Sequence, residues 1–471
     1  MIQTAVAVLA AGQGKRMKSR LPKVLHRLCG KPMIGHVLAA IRETSFGPTV
    51  VVVGYEADQV RAVCPEGTLF ADQPKPLGTG DAVRCALAAI PSVEEVVVVY
   101  GECPLVQRET LEGLVARHRE AGATMTIATA EAPDPTGLGR IIRDGDRVVA
   151  IVEEADATPE QKRVRRVNGG FYCFDAGWLR QTIEKIQQSA KGEYYLTDLV
   201  ALAVGEGKVV AAYEGEFREI VGINDRAHLA DSEEALRRRI NRRLMLAGVT
   251  LVDPATTYAD ADVEVGEDST IYPNTHLQGV TRIGSGCRIG PTSQIVDSQI
   301  DDDCRVWASV IEQAMVGKGT NVGPYSHLRP GTRLAGGVEV GNFAEMKNAR
   351  VDTGTKVHHF SYLGDAEIGE NVNVGAGSVT ANFDGTAKHR TVIEDGASIG
   401  VDTMMVAPVT IGAGATTGAG AVVTRDVAPG KTVVGMPARP IEMRRRRPEP
   451  AGAGDPGVGQ APVPSGADRN P

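Results

Sequence analysis

The sequence of 471 residues predicts two folded units of different kinds: an α/β domain with a mostly parallel sheet, and a parallel β-helix of hexapeptide coils. Two sequence patterns, one in each half of the chain, support this prediction. Up to about residue 226, apolar β-branched runs alternate with helical stretches, as in a parallel sheet covered on both faces. From residue 265, aliphatic residues recur at every sixth position, a period that neither an α-helix nor an alternating strand explains.

The composition narrows the class of function. A formal net charge of −7 disfavours a general nucleic-acid or membrane-surface binder, so we expect small metabolites as partners. The seven cysteines include no CxxC pair, which indicates neither a disulfide framework nor a zinc site and fits a reducing compartment. No signal peptide precedes the first strand and no apolar stretch approaches membrane-spanning length, so we expect a cytoplasmic protein.

The first strand, AVAVLA, runs into the glycine-rich and basic turn AGQGKRMKSRLPK. Gly12 and Gly14 permit a sharp turn whose backbone amides can face an anion, and Arg16 and Lys23 supply positive charge. The turn matches neither an ATPase P-loop nor the dinucleotide pattern, because Met17 stands where the third glycine is needed. From the turn alone, a phosphate site and an ordinary strand-to-helix connection are equally consistent.

Later strands, TVVVV and EEVVVV, are each followed by a turn, and the second turn reads YGECPL. In a parallel sheet, ligands bind outside the carboxyl ends of the strands. The basic turn and the YGECPL turn are therefore expected to face the same crevice.

Residues 225–247 predict a helix between the two units. One apolar stripe runs along it: Leu229, Leu236, Ile240 and Leu244. Two pairs are spaced for i,i+4 contact: Glu233 with Arg237, and Glu234 with Arg238. We interpret the stretch RRRINRR as a solvated helix face, because the chain as a whole is acidic. Gly248 predicts the end of the helix.

The hexapeptide period appears in three runs, at 265–295, 316–346 and 393–423, and glycine often follows the aliphatic position. In a hexapeptide β-helix the aliphatic side chain fills the interior and glycine helps to turn the corner. The break near 297–310 predicts an irregular coil, and 381–392 predicts an extruded loop. The Pro/Gly-rich stretch after about residue 446 predicts disorder.

These motifs carry a resemblance. LAAGQGKRM and LPKVLH, followed by RPG, NFAEMK, HHFSYLGDAEIG and NVNVGAG, resemble the bifunctional N-acetylglucosamine-1-phosphate uridylyltransferase/glucosamine-1-phosphate N-acetyltransferase family up to about residue 440. The polar sequence between EMK and VGAG is the most specific part, because other hexapeptide proteins share only the glycines. The resemblance implies a Rossmann-like uridylyltransferase domain at 1–226, a linker helix at 227–248, a left-handed β-helix acetyltransferase domain at 249–441 and a disordered tail at 442–471.

The family's chemistry has two steps. Acetyl-CoA acetylates glucosamine 1-phosphate, and UTP then reacts with N-acetylglucosamine 1-phosphate to give pyrophosphate and UDP-N-acetylglucosamine, a precursor of peptidoglycan and lipopolysaccharide. The second step needs charge neutralisation more than a proton carrier, because the attacking phosphate is already ionised. The resemblance further implies Mg²⁺, and a homotrimer in which acetyl-CoA often lies against an adjacent subunit.

The resemblance implies roles for residues of the first domain. Arg16 and Lys23 would be catalytic and hold the triphosphate. The nucleotide turn and strand end would be formed by Leu9, Ala10, Ala11, Gly12, Tyr100 and Gly101. Uracil would be read by Gln73, Gly78 and Thr79, and the sugar by Gly139, Glu153 and Asn168.

The implied magnesium ligands are Glu102 and Asn224. Here the chain departs from the family, whose strand-end pattern is YGDVPL, because it has glutamate in place of aspartate. Glutamate still offers hard oxygens, but its extra methylene moves the carboxylate by about one ångström or more.

In the second domain, His359 aligns with the family's catalytic histidine and would be the general base, whereas His358 would not. Glucosamine 1-phosphate would be bound by Arg329, Lys347, Tyr362, Asn373 and Lys388, with Glu345 orienting one of the cations. Acetyl-CoA would contact Ala376, Asn382, Phe383, Val401, Ala419 and Arg439. Phe383 and Val401 each lack the hydroxyl usual in the family, a loss of about 1 kcal/mol per hydrogen bond.

Two other hypotheses remain open at this point. The chain could be a single-activity sugar-1-phosphate nucleotidyltransferase with a scaffolding β-helix, or a non-catalytic sugar-nucleotide sensor in which Glu102 has abolished turnover. His359 with Lys347 and Arg329 argues against a scaffold, which needs the glycines but not these polar residues. Arg16 with Lys23 argues against a sensor.

Overall fold

The computed structural model describes residues 3–154 and 156–440, so the tail predicted at 442–471 lies outside the described residues. The strands of the N-terminal half are β1 (Thr4–Leu9), β2 (Arg27–Leu28), β3 (Lys31–Pro32), β4 (Thr49–Val53), β5 (Leu69–Asp72), β6 (Glu95–Tyr100), β7 (Met125–Glu131), β8 (Arg140–Asp144), β9 (Arg147–Val152), β10 (Arg166–Asp175) and β11 (Val210–Glu214).

Nine of these strands form one sheet in the order β5-β4-β1-β6-β10-β7-β11-β9-β8, and β2 and β3 pair separately. β5, β4, β1 and β6 are mutually parallel, which confirms the predicted parallel sheet and places their carboxyl ends at one edge. β10 runs antiparallel to β6 and β7, so its first residues reach the same edge.

The α-helices are α1 (Met33–Arg42), α2 (Ala57–Arg61), α3 (Thr79–Ala89), α4 (Arg108–Glu120), α5 (Pro159–Lys162), α6 (Ala176–Thr182), α7 (Asp198–Gly205), α8 (Phe217–Ile220) and α9 (Arg226–Leu246). Short 3₁₀ helices span Lys15–Met17, Lys23–Leu25 and Ile183–Lys185. Alternate residues of β1 enter two cores: Ala5 and Ala7 pack with α3 and α7, and Val6 and Val8 pack with α1 and α4. The strands contain continuous apolar runs because helices cover both faces of the sheet.

Helix α9 joins the sheet domain to the β-helix. Its first turn is capped by Asp225, whose carboxylate accepts the amides of Ala227 and His228 at 3.0 Å each. The predicted stripe lies against the first coils of the β-helix, with Leu236, Ile240 and Leu244 buried. The helix ends before Gly248, whose φ of +92° suits glycine.

The charged residues of α9 only partly follow the prediction. Glu234 pairs with Arg238 as expected, but Glu233 accepts the Cys29 amide at 2.9 Å, and Arg237 stacks 4.6 Å from the centre of the Tyr258 ring. The solvated-face interpretation of RRRINRR fits the exposed Arg238, Arg242 and Arg243, whereas Arg237 and Arg239 are partly buried. Two of the arginines also donate to backbone carbonyls. These contacts are Arg239 to the Leu105 carbonyl at 2.9 Å, and Arg243 to the carbonyls of Ala261 and Val263 at 3.2 Å each.

The C-terminal half is a β-helix with three parallel faces, in agreement with the predicted left-handed hexapeptide fold. The first face contains Thr250–Leu251, Thr270–Ile271, Arg288–Ile289, Arg305–Val306, Asn321–Val322, Glu339–Val340, Lys356–Val357, Asn373–Val374, Ser398–Ile399, Thr416–Thr417 and Thr432–Val434, and the last of these pairs antiparallel with Arg439–Pro440. The second face contains Thr257–Ala259, Thr275–Gln278, Gln294–Val296, Val310–Glu312, His327–Leu328, Ala344–Lys347, Ser361–Gly364, Val379–Ala381, Met404–Val406 and Val422–Val423. The third face contains Glu264–Val265, Arg282–Ile283, Gln299–Ile300, Met315–Val316, Arg333–Leu334, Arg350–Val351, Ala366–Ile368, Thr391–Ile393 and Val409–Ile411.

The break in the hexapeptide period near 297–310 is a change of coil length rather than a loss of stacking. Thr270 pairs with Arg288, 18 residues later, whereas Gln294 pairs with Val310, 16 residues later. The three ladders therefore continue through the segment that was expected to be irregular.

The loop expected at 381–392 does leave the coil, after Ala381. It folds back on itself through an antiparallel bridge between Phe383 and Lys388 and through the His389 amide, which donates to the Asn382 carbonyl at 2.8 Å. At its tip, backbone amides including that of Ala387 hold the pKa of the Asp384 carboxyl below its usual range.

Within residues 3–154 and 156–440, no helix combines the length and the apolar character that crossing a bilayer requires.

The buried aliphatic residues inside the β-helix lead to a prediction about its free energy of unfolding. Ile289 is fully buried, and its neighbour Arg288 on the same strand points outward and is exposed. Ile289→Ala should lower the free energy of unfolding of the β-helix by about 2–5 kcal/mol, because the coil cannot collapse around the cavity. Urea denaturation followed by circular dichroism measures this, with Arg288→Ala as the matched control. Equal small changes in both variants would contradict a packed interior.

Candidate functional site

The basic turn after β1 lies open at the crevice. The Gly101 amide donates to the Leu9 carbonyl at 3.0 Å and the Ala10 amide to the Val52 carbonyl at 2.9 Å, so the turn begins on the shared edge of the strands. A Cβ added to Gly12 would meet no atom within 4 Å, whereas one added to Gly14, at φ +67°, would lie 2.5 Å from Lys23 Cβ. Gly14 thus permits both the left-handed turn and its close approach to the lysine stem.

Two cations and two oxygen ligands converge beside this turn. Lys23 Nζ lies 2.7 Å from Glu102 Oε2 and donates to Asn224 Oδ1 at 3.2 Å. Arg16 Nη2 donates to the same Asn224 oxygen at 2.7 Å. The Lys23 side chain is only 7% exposed and that of Glu102 is 30% exposed. Residues more than two hundred positions apart therefore form one charged cluster.

Two glycines allow the segment that contains Asn224 to pack closely against the carboxyl end of β6. The Ile223 amide donates to the Glu102 carbonyl at 3.0 Å, and a Cβ on Gly222 would lie 2.9 Å from Glu102 Oε1. Gly169, at a bulge in β10, leaves space for Ile220 of α8, because its added Cβ would lie 2.3 Å from Ile220 Cδ1. Close backbone approach thus sets the position of the Asn224 side chain.

The donor set of this cluster fits magnesium. The described ranges contain no group of three or more His, Cys, Asp or Glu side chains arranged for a metal, so a cation here would rely on Glu102, Asn224, substrate oxygens and water. Mg²⁺ is ordinarily held in this way, by one or two protein oxygens together with substrate phosphates.

The residues expected to read uracil lie side by side. Gln73 is buried, and its amide donates to the Gly78 carbonyl at 3.0 Å and to Asp81 Oδ2 at 2.8 Å. Gly78 has a φ of +101°, and Thr79 Oγ1 accepts the Leu196 amide at 3.0 Å at the start of α3. Asp81 was not singled out from the sequence, although it stands two residues after Thr79 in the same motif.

The residues expected to bind the sugar form a second group on the crevice wall. The Asn168 amide donates to the Gly139 carbonyl at 2.9 Å, and Asn168 Nδ2 donates to the Tyr172 hydroxyl at 2.8 Å. Burial, reinforced by the charge of Asp156, raises the pKa of Glu153. Burial also raises the pKa of Tyr172 to about 12, which keeps its hydroxyl protonated.

On the β-helix, several expected phosphate binders gather where the second face meets the third. Arg329 Nη1 donates to Glu345 Oε1 at 2.7 Å, and Glu345 is paired with Tyr362 in the next coil. Contact with Lys388 and then the nearby charges of Lys388 and Arg329 lower the pKa of Lys347. Neighbouring positive charges of this kind favour a bound anion. We call this group, Arg329, Glu345, Lys347, Tyr362 and Lys388, the cationic edge.

His359 lies at the opposite edge of the second face, where the chain arrives from the first face. Four expected residues occupy equivalent positions there in successive coils: His359, Ala376, Val401 and Ala419. Each follows by two residues a member of one first-face ladder: Val357, Val374, Ile399 and Thr417. Backbone bonds between coils agree, since the Asp402 amide donates to the Ala376 carbonyl at 2.7 Å. We call this column the histidine corner.

The two neighbouring histidines differ in their contacts. His358 Nε2 lies 2.7 Å from Glu339 Oε2, so its imidazole is tied to the first face. His359 is exposed, and its ring is perpendicular to that of His358, with centroids 6.3 Å apart. The imidazole of His359 is thus presented at the surface.

The remaining expected residues divide between these places. Asn373 lies on the first face beside the histidine corner, whereas Asn382 follows the second face and donates to Asp365 Oδ2 near the cationic edge. Phe383, in the extruded loop, is 60% exposed. Arg439 lies at the last strand, in a cavity with Arg425 and Lys431. Asp365 was missed from the sequence, although the quoted motif LGDAEIG contains it.

One chain therefore keeps the histidine corner and the cationic edge apart. His359 is equivalent by register to Asn342, five residues before Lys347. The strand Ala344–Lys347 alone extends about 10 Å between these two borders. The expected residues of the second site thus occupy both borders of one face.

The comparisons with known proteins agree with both halves. The model of the MobA-like NTP transferase domain matches residues 6–169. The "Bifunctional protein GlmU" of Rubrobacter xylanophilus is 52% identical over 436 residues, which cover 92% of this chain and 93% of that protein. The proteins of the same name from Trichlorobacter lovleyi and Streptomyces avermitilis are 47% and 46% identical and cover 91% and 95% of this chain, and 95% and 96% of their own lengths.

The tight contact at Gly222 generates a prediction. Gly222→Ala places a methyl group against the Glu102 carboxylate and should slow the nucleotidyl transfer expected of the crevice by about 10- to 100-fold, because small displacements at a reacting centre are costly. Gly205→Ala, at the end of α7 with no atom within 4 Å of its added Cβ, is the matched control. Pyrophosphate release measures both, and equal rates in the two variants would show that the Glu102 position is unimportant.

Proposed function

The chain belongs to the family of bifunctional GlmU proteins, and we propose that it divides the two reactions of that family between its strand-end crevice and its β-helix. The family predicted from the motifs is thereby confirmed. Support for the division comes from one observation: two separate groups of charged residues, the Arg16, Lys23, Glu102 and Asn224 cluster and the two edges of the second face, lie on different folded units.

The chain is an enzyme of UDP-N-acetylglucosamine synthesis. It transfers acetyl from acetyl-CoA to glucosamine 1-phosphate, and uridylyl from UTP to N-acetylglucosamine 1-phosphate with release of pyrophosphate. The product supplies peptidoglycan synthesis. Family membership favours this two-activity prediction over the scaffold and sensor hypotheses.

In the proposed uridylyl transfer, a phosphate oxygen of the sugar attacks the α-phosphorus of UTP, and pyrophosphate leaves. Arg16 and Lys23 stabilise the negative charge that develops on the phosphates. Gln73, Gly78 and Thr79 orient the uracil, and Gly139, Glu153 and Asn168 hold the sugar. The turn of Leu9, Ala10, Ala11 and Gly12, with Tyr100 and Gly101, forms the floor of this site.

The family uses Mg²⁺, and Glu102 and Asn224 are the proposed ligands in this chain. When bound, the metal supplies charge neutralisation for the phosphates. The glutamate, in place of aspartate, is accommodated here by the absence of a side chain at Gly222.

In the proposed acetyl transfer, the amine of glucosamine 1-phosphate attacks the thioester carbonyl, and CoA leaves as its thiol. His359 accepts the proton that the amine loses. Arg329, Lys347, Tyr362 and Lys388 hold the sugar phosphate, with Glu345 fixing Arg329, and Asn373 contributes from the first face.

The cofactor is proposed to lie along the histidine corner. Ala376, Val401 and Ala419 stack above His359 in successive coils and provide an uncharged track for acetyl-CoA. Asn382, Phe383 and Arg439 are further proposed contacts, with Arg439 facing a CoA phosphate.

A homotrimer is proposed because one chain separates the two parts of this site. A neighbouring chain that packs against the second face would bring its histidine corner to the cationic edge. A column of exposed aromatic rings beside the histidine corner supports such packing: Tyr325, Phe343 and Phe360, with Tyr325 and Phe343 stacked at 5.4 Å. An exposed apolar column of this kind is typical of an interface.

We also propose the domain limits 1–226, 227–248 and 249–441, and a cytoplasmic location. All seven cysteines lie in the described ranges, and none of them is disulfide-bonded, which supports a reducing compartment.

Separate sites predict separable activities. Lys23→Ala should abolish pyrophosphate release and leave CoA release nearly unchanged, because sites this far apart usually act independently. Paired assays on one preparation measure both rates. Equal loss of both activities would contradict the two-site proposal.

The general-base role of His359 makes a second prediction. His359→Ala should lower acetyl transfer by about 10²- to 10⁴-fold, the usual contribution of positioned proton transfer, while uridylyl transfer proceeds normally. His358→Ala is the control and should have a much smaller effect, because its imidazole is tied to Glu339. CoA release at matched oligomeric state is the measurement, and a His359→Ala enzyme near the wild-type rate would remove this histidine as the base.

A further inference from the structure

The Lys23 ammonium contacts both proposed magnesium ligands, at 2.7 Å from Glu102 Oε2 and 3.2 Å from Asn224 Oδ1. We propose that Lys23 serves as a built-in cation at the metal site, which holds these oxygens in the nucleotide-free chain and competes with the divalent metal for them. The proposal rests on the assignment of Glu102 and Asn224 as ligands in the proposed function, and it adds a role for Lys23 before the nucleotide arrives.

Competition follows from the space available. Mg²⁺ binds oxygen at about 2.0–2.1 Å, so an ion shared by the two ligand oxygens would lie beside the ammonium. Like charges repel strongly where little water screens them, and the Lys23 side chain is 7% exposed. Arg16, bonded to the same Asn224 oxygen, adds a further positive charge.

The lysine end, rather than the carboxylate, is the part that can move. Gly222 abuts Glu102 Oε1, and the Ile223 amide binds the Glu102 carbonyl, so this side of the site is confined by backbone. Gly14 packs against the Cβ of Lys23, but the rest of the lysine stem is a flexible chain that can swing.

The displaced ammonium needs a new anionic partner, because a mostly buried and unpaired charge is costly. The triphosphate of the nucleotide is the anion expected at the adjacent turn. Metal and nucleotide are therefore expected to bind in a coupled way, with weak metal binding when the nucleotide is absent.

The glutamate of this chain strengthens the competition. Its extra methylene extends the carboxylate by about one ångström or more relative to aspartate, and this longer side chain makes the contact with the ammonium. Lys23 is thus a positioning residue for the metal ligands as well as a group that binds phosphate.

Manganese binding to the full-length, nucleotide-free protein tests the proposal, with free Mn²⁺ followed by electron paramagnetic resonance. Lys23→Gln should bind Mn²⁺ about tenfold more tightly than the wild type, because the competing charge is gone. Lys18→Gln removes an exposed cation from the same turn and should stay within about twofold of the wild type. Unchanged or weaker binding by Lys23→Gln would overturn the proposal.

A double variant separates this proposal from the ligand assignment. If Lys23→Gln with Glu102→Gln binds Mn²⁺ far more weakly than Lys23→Gln alone, Glu102 is a ligand, and the effect of Lys23→Gln alone then decides the competition. If the second substitution changes nothing, the ligand assignment itself fails. Lys23→Met provides a second neutral side chain should Lys23→Gln fold poorly, with CoA release as the check that the β-helix is intact.

Discussion

The parallel register of the β-helix is the constraint on which the second site depends. Each coil repeats the preceding one after 16 to 18 residues in most of the ladder, so side chains far apart in sequence stack in columns. His359, Ala376, Val401 and Ala419 form one such column, and Arg329 and Lys347 belong to another. A shift of one residue in any coil would turn its outward side chains into the interior. The buried aliphatic residues that prevent this shift therefore also determine which of the proposed site residues share an edge.

The first site depends on close approach of backbone segments instead. Three glycines, Gly14, Gly169 and Gly222, have no side chain where another segment packs against them. The space they leave allows three segments to meet at the end of β6: the basic turn, β10 and residues 222–224. The result is a crevice in which the buried Lys23 and the exposed Arg16 both contact the Asn224 oxygen. Asp225, the N-terminal cap of α9, directly follows Asn224, so this cap also helps to position a proposed metal ligand.

Much of this arrangement could be predicted from the sequence. The period of six predicted the β-helix, and the apolar runs predicted the parallel sheet, because both patterns reflect burial of side chains at a fixed spacing. The contacts of α9 could not be predicted in the same way. Spacing alone paired Glu233 with Arg237, whereas Glu233 binds the Cys29 amide and Arg237 stacks on Tyr258, because tertiary partners compete with the i,i+4 neighbour. The separation of His359 from the cationic edge was also not visible in the motifs, since it depends on where the corners of the coils fall.

The central claim is that the acetyl-transfer site is complete only where the histidine corner of one chain meets the cationic edge of another. Co-expression of His359→Ala and Lys347→Ala chains with different tags, followed by isolation of the mixed oligomer, tests this most directly. Each variant alone should be nearly inactive in CoA release. In a mixed trimer, one of the three shared sites should combine an intact His359 with an intact Lys347, so about a third of the wild-type rate should return. A mixed oligomer as inactive as its two parents would show that both residues act from the same chain and would contradict the account.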